Sequence, residues 1–163
     1  MNGLHLVSQN RMFGLDMDVK FVDRVLAFCQ KSGHLETGGI LIGYYGPLND
    51  IAIVTDITGP PSDSVFRSNA FIRGTRGLQR RLLRHWTDDS SYYVGEWHLH
   101  PCGTPVPSET DIRQLNKIAE DDSSKCPEPI LLVVGGSVDS REFRAYVFPQ
   151  GVNHQELCYP GGP

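Results

Sequence analysis

The chain has 163 residues, of which 39 % are hydrophobic and 21 % charged, with a formal charge of −4. That length suits one domain able to bury a full core, and the composition excludes a disordered or low-complexity chain. The acidic balance leaves no overall basic field for nucleic acid or anionic lipid, so such a partner would need a local patch.

The opening stretch MNGLHLVSQNRMFGLDMD lacks the basic segment and apolar run of a secretion signal, and no apolar stretch approaches the length of a membrane span. A single domain over residues 1–163 is therefore expected, cytoplasmic, with neither membrane nor nucleic acid as partner. Cys29, Cys102, Cys126 and Cys158 are scattered without a Cys-x-x-Cys pair. Such spacing speaks for reduced thiols and against a Cys-rich zinc module.

Val22, Val25, Leu26 and Cys29 recur at helical spacing, with Asp16 or Asp18 as N-cap and Gly33 as terminator, which predicts a helix over residues 18–32. Residues 37–58, TGGILIGYYGPLNDIAIVTDIT, read as two strands about a Gly-Pro-Leu-Asn-Asp turn, and SNAFIRG, residues 68–74, as another strand. Around TRGLQRRLLRHW, Leu78, Leu82 and Trp86 fall on one helical face and Arg73, Arg76, Arg80 and Arg84 on another. That amphipathic helix should lie on the sheet. Its arginines form either a solvated face or a dock for an acidic protein partner.

SYYVGEWHLH, residues 91–100, suits a strand stopped by Pro101, and Ser108 opens a helix carrying Ile112, Leu115, Ile118 and Ala119 at helical spacing. PILLVVGG and REFRAYVFP follow as two core strands about a Gly-Ser-Val-Asp-Ser turn. Three glycines and two prolines in the last fourteen residues predict a flexible tail over 150–163. Helix, strands, helix, strand, helix and strands make an α/β fold, a sheet with helices packed on one face or on both.

The segment GEWHLHPCGTPVPSETD, residues 95–111, carries the chemistry. In a strand, His98 and His100 point to the same side while Leu99 points into packing. After the proline turn, Asp111 in the first turn of the next helix offers an oxygen. Two nitrogens and one oxygen fit zinc with an open fourth position. Ser108-x-x-Asp111 is equally a capping box that needs no chemistry. A hydrolytic zinc site also needs a base. Glu36, before a glycine pair, leads; Glu96, two residues before His98 on the same strand face, is either a rival base or a partner that orients His98.

Glu36, His98-Leu99-His100-Pro101, Ser108 and Asp111, with seven residues between His100 and Ser108, resemble the JAMM signature of the JAB/MPN metallopeptidases. The resemblance implies the JAB/MPN fold, similar to that of the cytidine deaminases: a curved mixed β-sheet flanked by helices. It further implies Zn2+ held by His98, His100 and Asp111, with Glu36 as acid/base and Ser108 helping to hold the oxyanion. The substrate would be a protein joined to a ubiquitin-like modifier or through its own C-terminus. Leu99 departs from the Ser or Thr of eukaryotic members, where its side chain should point away from the metal. The wording around the motif is most similar to bacterial isopeptidases encoded beside E1/E2-like ligases in CBASS antiphage operons, which implies a conjugated protein such as a cyclic-nucleotide synthase.

Three rivals share parts of this pattern. His-Pro-Cys resembles a zinc deaminase, but the second Cys and the His-x-Glu are missing. The DNA-repair-associated RadC-like proteins share the His-x-His-Pro and Ser-x-x-Asp pattern, with only the arginine face to argue for nucleic acid. If Cys102 supplied a fourth ligand, the site would be closed and the protein an interaction module. Recognition of a substrate tail is expected along an exposed sheet edge and the 59–70 loop.

Overall fold

The computed structural model describes residues 2–48 and 50–161. Its strands are β1 (Leu4–Val7), β2 (Gly14–Met17), β3 (Thr37–Tyr45), β4 (Ile51–Ile57), β5 (Val65–Phe66), β6 (Phe71–Ile72), β7 (Tyr92–Leu99), β8 (Ile130–Ser137), β9 (Ser140–Val147) and β10 (Gln155–Leu157). The helices are α1 (Val19–Ser32), α2 (Leu78–Asp89) and α3 (Glu109–Glu120).

Eight strands form one mixed sheet in the order β1-β2-β4-β3-β7-β8-β9-β10, with β2–β4 and β7–β8 parallel and the other pairs antiparallel. The outermost strands meet where Val7 and Cys158 exchange backbone hydrogen bonds of 2.8 Å in both directions. The sheet therefore curls until its two edges are clipped together.

Strand periodicity sorts the two faces, and helices cover both. Along β8, Leu132 and Val134 join the core with Val22, Val25 and Cys29 of α1, while Leu131 and Val133 pack with Leu115 of α3, Tyr146 and Phe148. Along β7, Trp97 and Leu99 enter the α1 core, leaving Glu96 and His98 for the α3 side. The sequence predicted α1 well: Asp18, not Asp16, is its N-cap and accepts from the Lys20 N–H, and Gly33 ends it with φ 63°.

Several expectations need correction. The two N-terminal strands were not expected, although Leu4 and Leu6 alternate with outward His5. Only residues 71–72 of the strand read at 68–74 form, paired with β5 in a hairpin outside the main sheet. Arg73 lies before α2, which starts at Leu78 after Gly77. The apolar face of α2 meets the sheet only loosely: Leu78 and Leu82 are half-buried and Trp86 leans on Tyr92 of β7, but no residue of the helix is fully buried. A polar knot anchors it as well: Asp56 of β4 accepts from Arg81, from Arg24 of α1 at 2.6 Å, and contacts His85 at 3.0 Å, while both arginines also donate to the Ile57 carbonyl. The flexible tail is the last correction. Residues 155–157 pair with β9, and Leu157 is buried because it fills the α1 core; residues 162–163 fall outside the described part. Among the described residues no helix is long and apolar enough to cross a membrane.

Candidate metal centre

His98 ends β7, and His100 extends the ladder by donating its N–H to the Val134 carbonyl at 2.8 Å. Pro101 then turns the chain. The following loop is pinned to the end of β8 by Cys102 N–H to the Gly136 carbonyl and Gly136 N–H to the Gly103 carbonyl, and Tyr146 donates to the Pro105 carbonyl. At Gly135 a Cβ would come within 2.6 Å of the Gly103 carbonyl oxygen and of the Pro105 nitrogen, so a bare backbone is required for this close approach. The loop thereby delivers the N-terminus of α3 to the histidines.

At that N-terminus the capping box forms, and the same Asp111 carboxylate also faces both histidines. Ser108 accepts from the Asp111 N–H at 3.1 Å, and Asp111 Oδ2 accepts from the Ser108 N–H and hydroxyl, each at 2.7 Å. Asp111 Oδ1 lies 2.8 Å from His98 Nδ1, and Oδ2 lies 3.3 Å from His100 Nε2. Ligand atoms of His98, His100 and Asp111 fall within 4.8 Å of one another. His98 is 4 % and Asp111 6 % exposed. Burial raises the Asp111 carboxyl, but the hydrogen bonds from His100 and His98 outweigh it and hold the group well below the ordinary carboxylate range. Two imidazoles and an ionised carboxylate, converging at a largely buried spot, are a donor set that suits a divalent cation.

Beneath His98 lies a second layer of contacts. Glu96, fully buried, meets His98 Nε2 at 3.2 Å and accepts from Arg73 at 2.9 and 3.2 Å, Tyr93 at 3.3 Å and Gln114 at 3.0 Å. A proton on Nε2 shared with Glu96 leaves the Nδ1 lone pair for a cation. Burial pushes Glu96 up, yet the His98 hydrogen bond and the Arg73 guanidinium prevail and hold it at about 2. Burial would depress His98, but the Asp111 and Glu96 carboxylates raise it to about 9. Glu96 thus takes the orienting role, being saturated with donors. Sequence reasoning missed Arg73, Tyr93 and Gln114; only Gln114, three residues after Asp111 on one helical face, carried a local signal.

Glu36 sits just before β3. Thr37 pairs with Leu99 and Gly38 with His98, so the next step of this antiparallel register sets Glu36 across from His100 on the same face. Its N–H donates to the Arg67 carbonyl at 2.8 Å, tying it to the hairpin. Partial burial raises its carboxyl, His100 opposes, and the negative Asp111 adds to the rise. Gly38 has no substitute here, because a Cβ would stand 2.7 Å from the His98 ring and 2.9 Å from Phe71, which meets that ring edge-on at 5.7 Å. Cys102, exposed and at φ 59°, is not among the three grouped ligands.

Comparison with known proteins agrees with this geometry. The family described as prokaryotic homologs of the JAB domain matches residues 18–148. The chain is 37 % identical over 145 residues to a "CD-NTase/cGAS isopeptidase" of Enterobacter hormaechei subsp. hoffmannii, covering 88 % of this chain and 80 % of the relative. It is 27 % identical to a "Probable metalloprotease" of Sinorhizobium fredii, over 73 % of this chain and 74 % of that one. A solution structure of a Desulfitobacterium hafniense protein superposes with a TM-score of 0.61 at 19 % identity, covering 84 % of this chain and 85 % of the other, a likeness of fold.

Proposed function

The chain belongs to the prokaryotic JAB family and is a JAMM-type peptidase, and from that premise we propose a zinc-dependent isopeptidase that frees a protein joined through its C-terminus to another protein. The observation that carries this reading is the His98–His100–Asp111 set, two of its members buried and His100 half-buried, with Glu36 set opposite by the β3–β7 register. His98, His100 and Asp111 would hold Zn2+, and an open fourth position suits catalysis. Bound there, zinc supplies Lewis acidity, making a water nucleophilic near neutral pH and polarising the scissile carbonyl.

The protein's own groups do the rest. Glu36 takes the proton of the attacking water and returns it to the leaving amine, a task for which a raised carboxyl is suited. The Ser108 hydroxyl, at the mouth of α3, turns from Asp111 to donate to the carbonyl oxygen as negative charge builds there. Glu96 holds the His98 ring in one tautomer and orientation.

For the substrate, the relatives named CD-NTase/cGAS isopeptidase, in Enterobacter and in Escherichia coli, support a cyclic-nucleotide synthase of the CD-NTase type, conjugated by an E1/E2-like ligase system as in CBASS antiphage defence. The β5–β6 hairpin exposes Val65, Phe66 and Ile72 beside the centre and offers unpaired backbone for an extended tail.

One experiment tests the reading: zinc content, and cleavage of a CD-NTase fused at its C-terminus to green fluorescent protein, for wild type, Glu36→Gln and a variant with the 59–70 loop shortened. Zinc in all three, cleavage by the wild type, none by Glu36→Gln and a raised KM for the loop variant are expected. Equal cleavage by Glu36→Gln removes it as the base. A wild type without zinc removes the metal site, and an unchanged KM removes the hairpin from recognition.

A further inference from the structure

Helix α2 is the element that the fold uses least and the sequence marks most. None of its twelve residues is buried, Leu83 is 64 % and Trp86 58 % exposed, and its ties to the sheet are the polar knot at Asp56 and a loose apolar contact with β7. Its open face forms one bank of a groove of about 810 Å³, which runs over Leu78, Leu82 and Trp86 to Tyr92, Tyr93 and Arg73. Trp86 leans on Tyr92 with ring centroids 6.3 Å apart. The groove stops short of the metal centre at Arg73 and Tyr93, which line it and bond from behind the buried Glu96 carboxylate that contacts His98.

Charge selects the occupant. No carboxylate lines the groove, although the chain carries a net charge of −4, and Lys125 stands among the lining residues. Arg76, Arg80 and Arg84 follow one another at four-residue spacing, all exposed, and among the described residues none of their side chains has an ion-pair partner. Arg80 and Arg84 line the neighbouring hollow over Asp56, while Leu83, three residues after Arg80, belongs to the groove, so the exposed ridge of α2 passes from basic to apolar between Arg80 and Leu83. A basic surface would be repelled here, and a purely apolar one would leave the stripe unused.

We propose that α2 seats the folded body of the protein substrate, and that this body presents an apolar residue rimmed by carboxylates, which meet Arg80 and Arg84 while the apolar residue covers Leu83 and Trp86. The inference rests on the isopeptidase reading and deepens it: the exposed ridge of α2 sorts substrates by their acidic bodies, and the metal centre cuts the tail that the seated body brings to it.

The test compares two probes, the CD-NTase–green fluorescent protein fusion and a short peptide of the same C-terminal residues bearing a fluorogenic amide. The double variant Arg80→Glu/Arg84→Glu is expected to raise KM for the fusion roughly tenfold with kcat unchanged, while both constants for the short peptide stay at wild-type values. Added salt should raise the wild-type KM for the fusion, and leave that for the peptide alone. Trp86→Ala should also raise the KM for the fusion but keep its salt dependence, since Arg80 and Arg84 remain, whereas the double variant should lose it. An unchanged fusion KM in the double variant, or peptide and fusion shifting together, overturns the proposal while leaving the isopeptidase intact. Wild type that cuts neither probe overturns the isopeptidase reading and this inference with it. Binding of a DNA duplex that is lost in the double variant reassigns the stripe to nucleic acid and also overturns it.

Discussion

At the scale of single residues, Glu96 separates binding a metal from holding its ligand. Four donors surround its carboxylate, and the guanidinium of Arg73 supplies the opposite charge in a site without solvent. Glu96→Gln keeps the shape and surrenders the charge that fixes the His98 proton on Nε2. Metal affinity should fall by roughly 10–100-fold, the usual cost of losing a partner that orients a ligand, as read by competition with a chromogenic chelator. Unchanged affinity would mean that His98 needs no carboxylate behind it. His98, His100 and Asp111 were legible because strand alternation and a helix start sit within one short run of chain. Glu96 was legible in place but not in role, since the same strand position serves a base or an orienting partner. Arg73 was not legible at all: it lies 23 residues from Glu96, and nothing local says which buried acid a lone arginine will meet.

At the scale of elements, α2 shows why amphipathic spacing identifies a helix without saying what its apolar face touches. Leu78, Leu82 and Trp86 do share a face, yet the side turned to β4 carries Arg81 and His85, and the Asp56 carboxylate binds them together with Arg24 of α1. Burial raises Asp56, but the Arg81 and Arg24 hydrogen bonds lower it to about 2. A carboxyl depressed on folding stabilises the fold above its unfolded value of about 4, and that contribution is lost as pH falls through about 2. Because both arginines are partly exposed to screening water, Asp56→Asn should cost about 1–2 kcal/mol at neutral pH. In urea unfolding the gap between wild type and variant should narrow below about pH 4 and close near pH 2. A gap independent of pH would place the effect in packing rather than in charge. By contrast α1 and α3 were legible with their caps, since Asp18 and Ser108 act on their own N-termini and need no distant partner.

At the scale of the whole molecule, the sheet closes through its two ends, which composition alone could not reveal. The glycines and prolines after Gln150 make the tail read as loose, while Gln155–Leu157 pair with β9 and Cys158 bridges to Val7. The β9 ladder is local, but the closing bridge joins residues almost a chain length apart, so the signal for closure lies in topology. Closure covers the exposed edges of β9 and β1, and it seals the core that holds α1 against β7, where Trp97 and Leu99 fix the strand whose other face carries Glu96 and His98. Leu157 is 2 % exposed in that core, so Leu157→Ala should cost about 2–5 kcal/mol, with Tm falling roughly 2–4 °C for each. Truncation after Gln150 should lower Tm further and favour association through the two opened edges, seen as concentration-dependent light scattering. Truncation after Cys158 keeps the bridge and should match the wild type in both. If the longer truncation kept wild-type Tm and stayed monodisperse, closure would be an accessory of the fold, and β7 would hold the metal ligands in place without it.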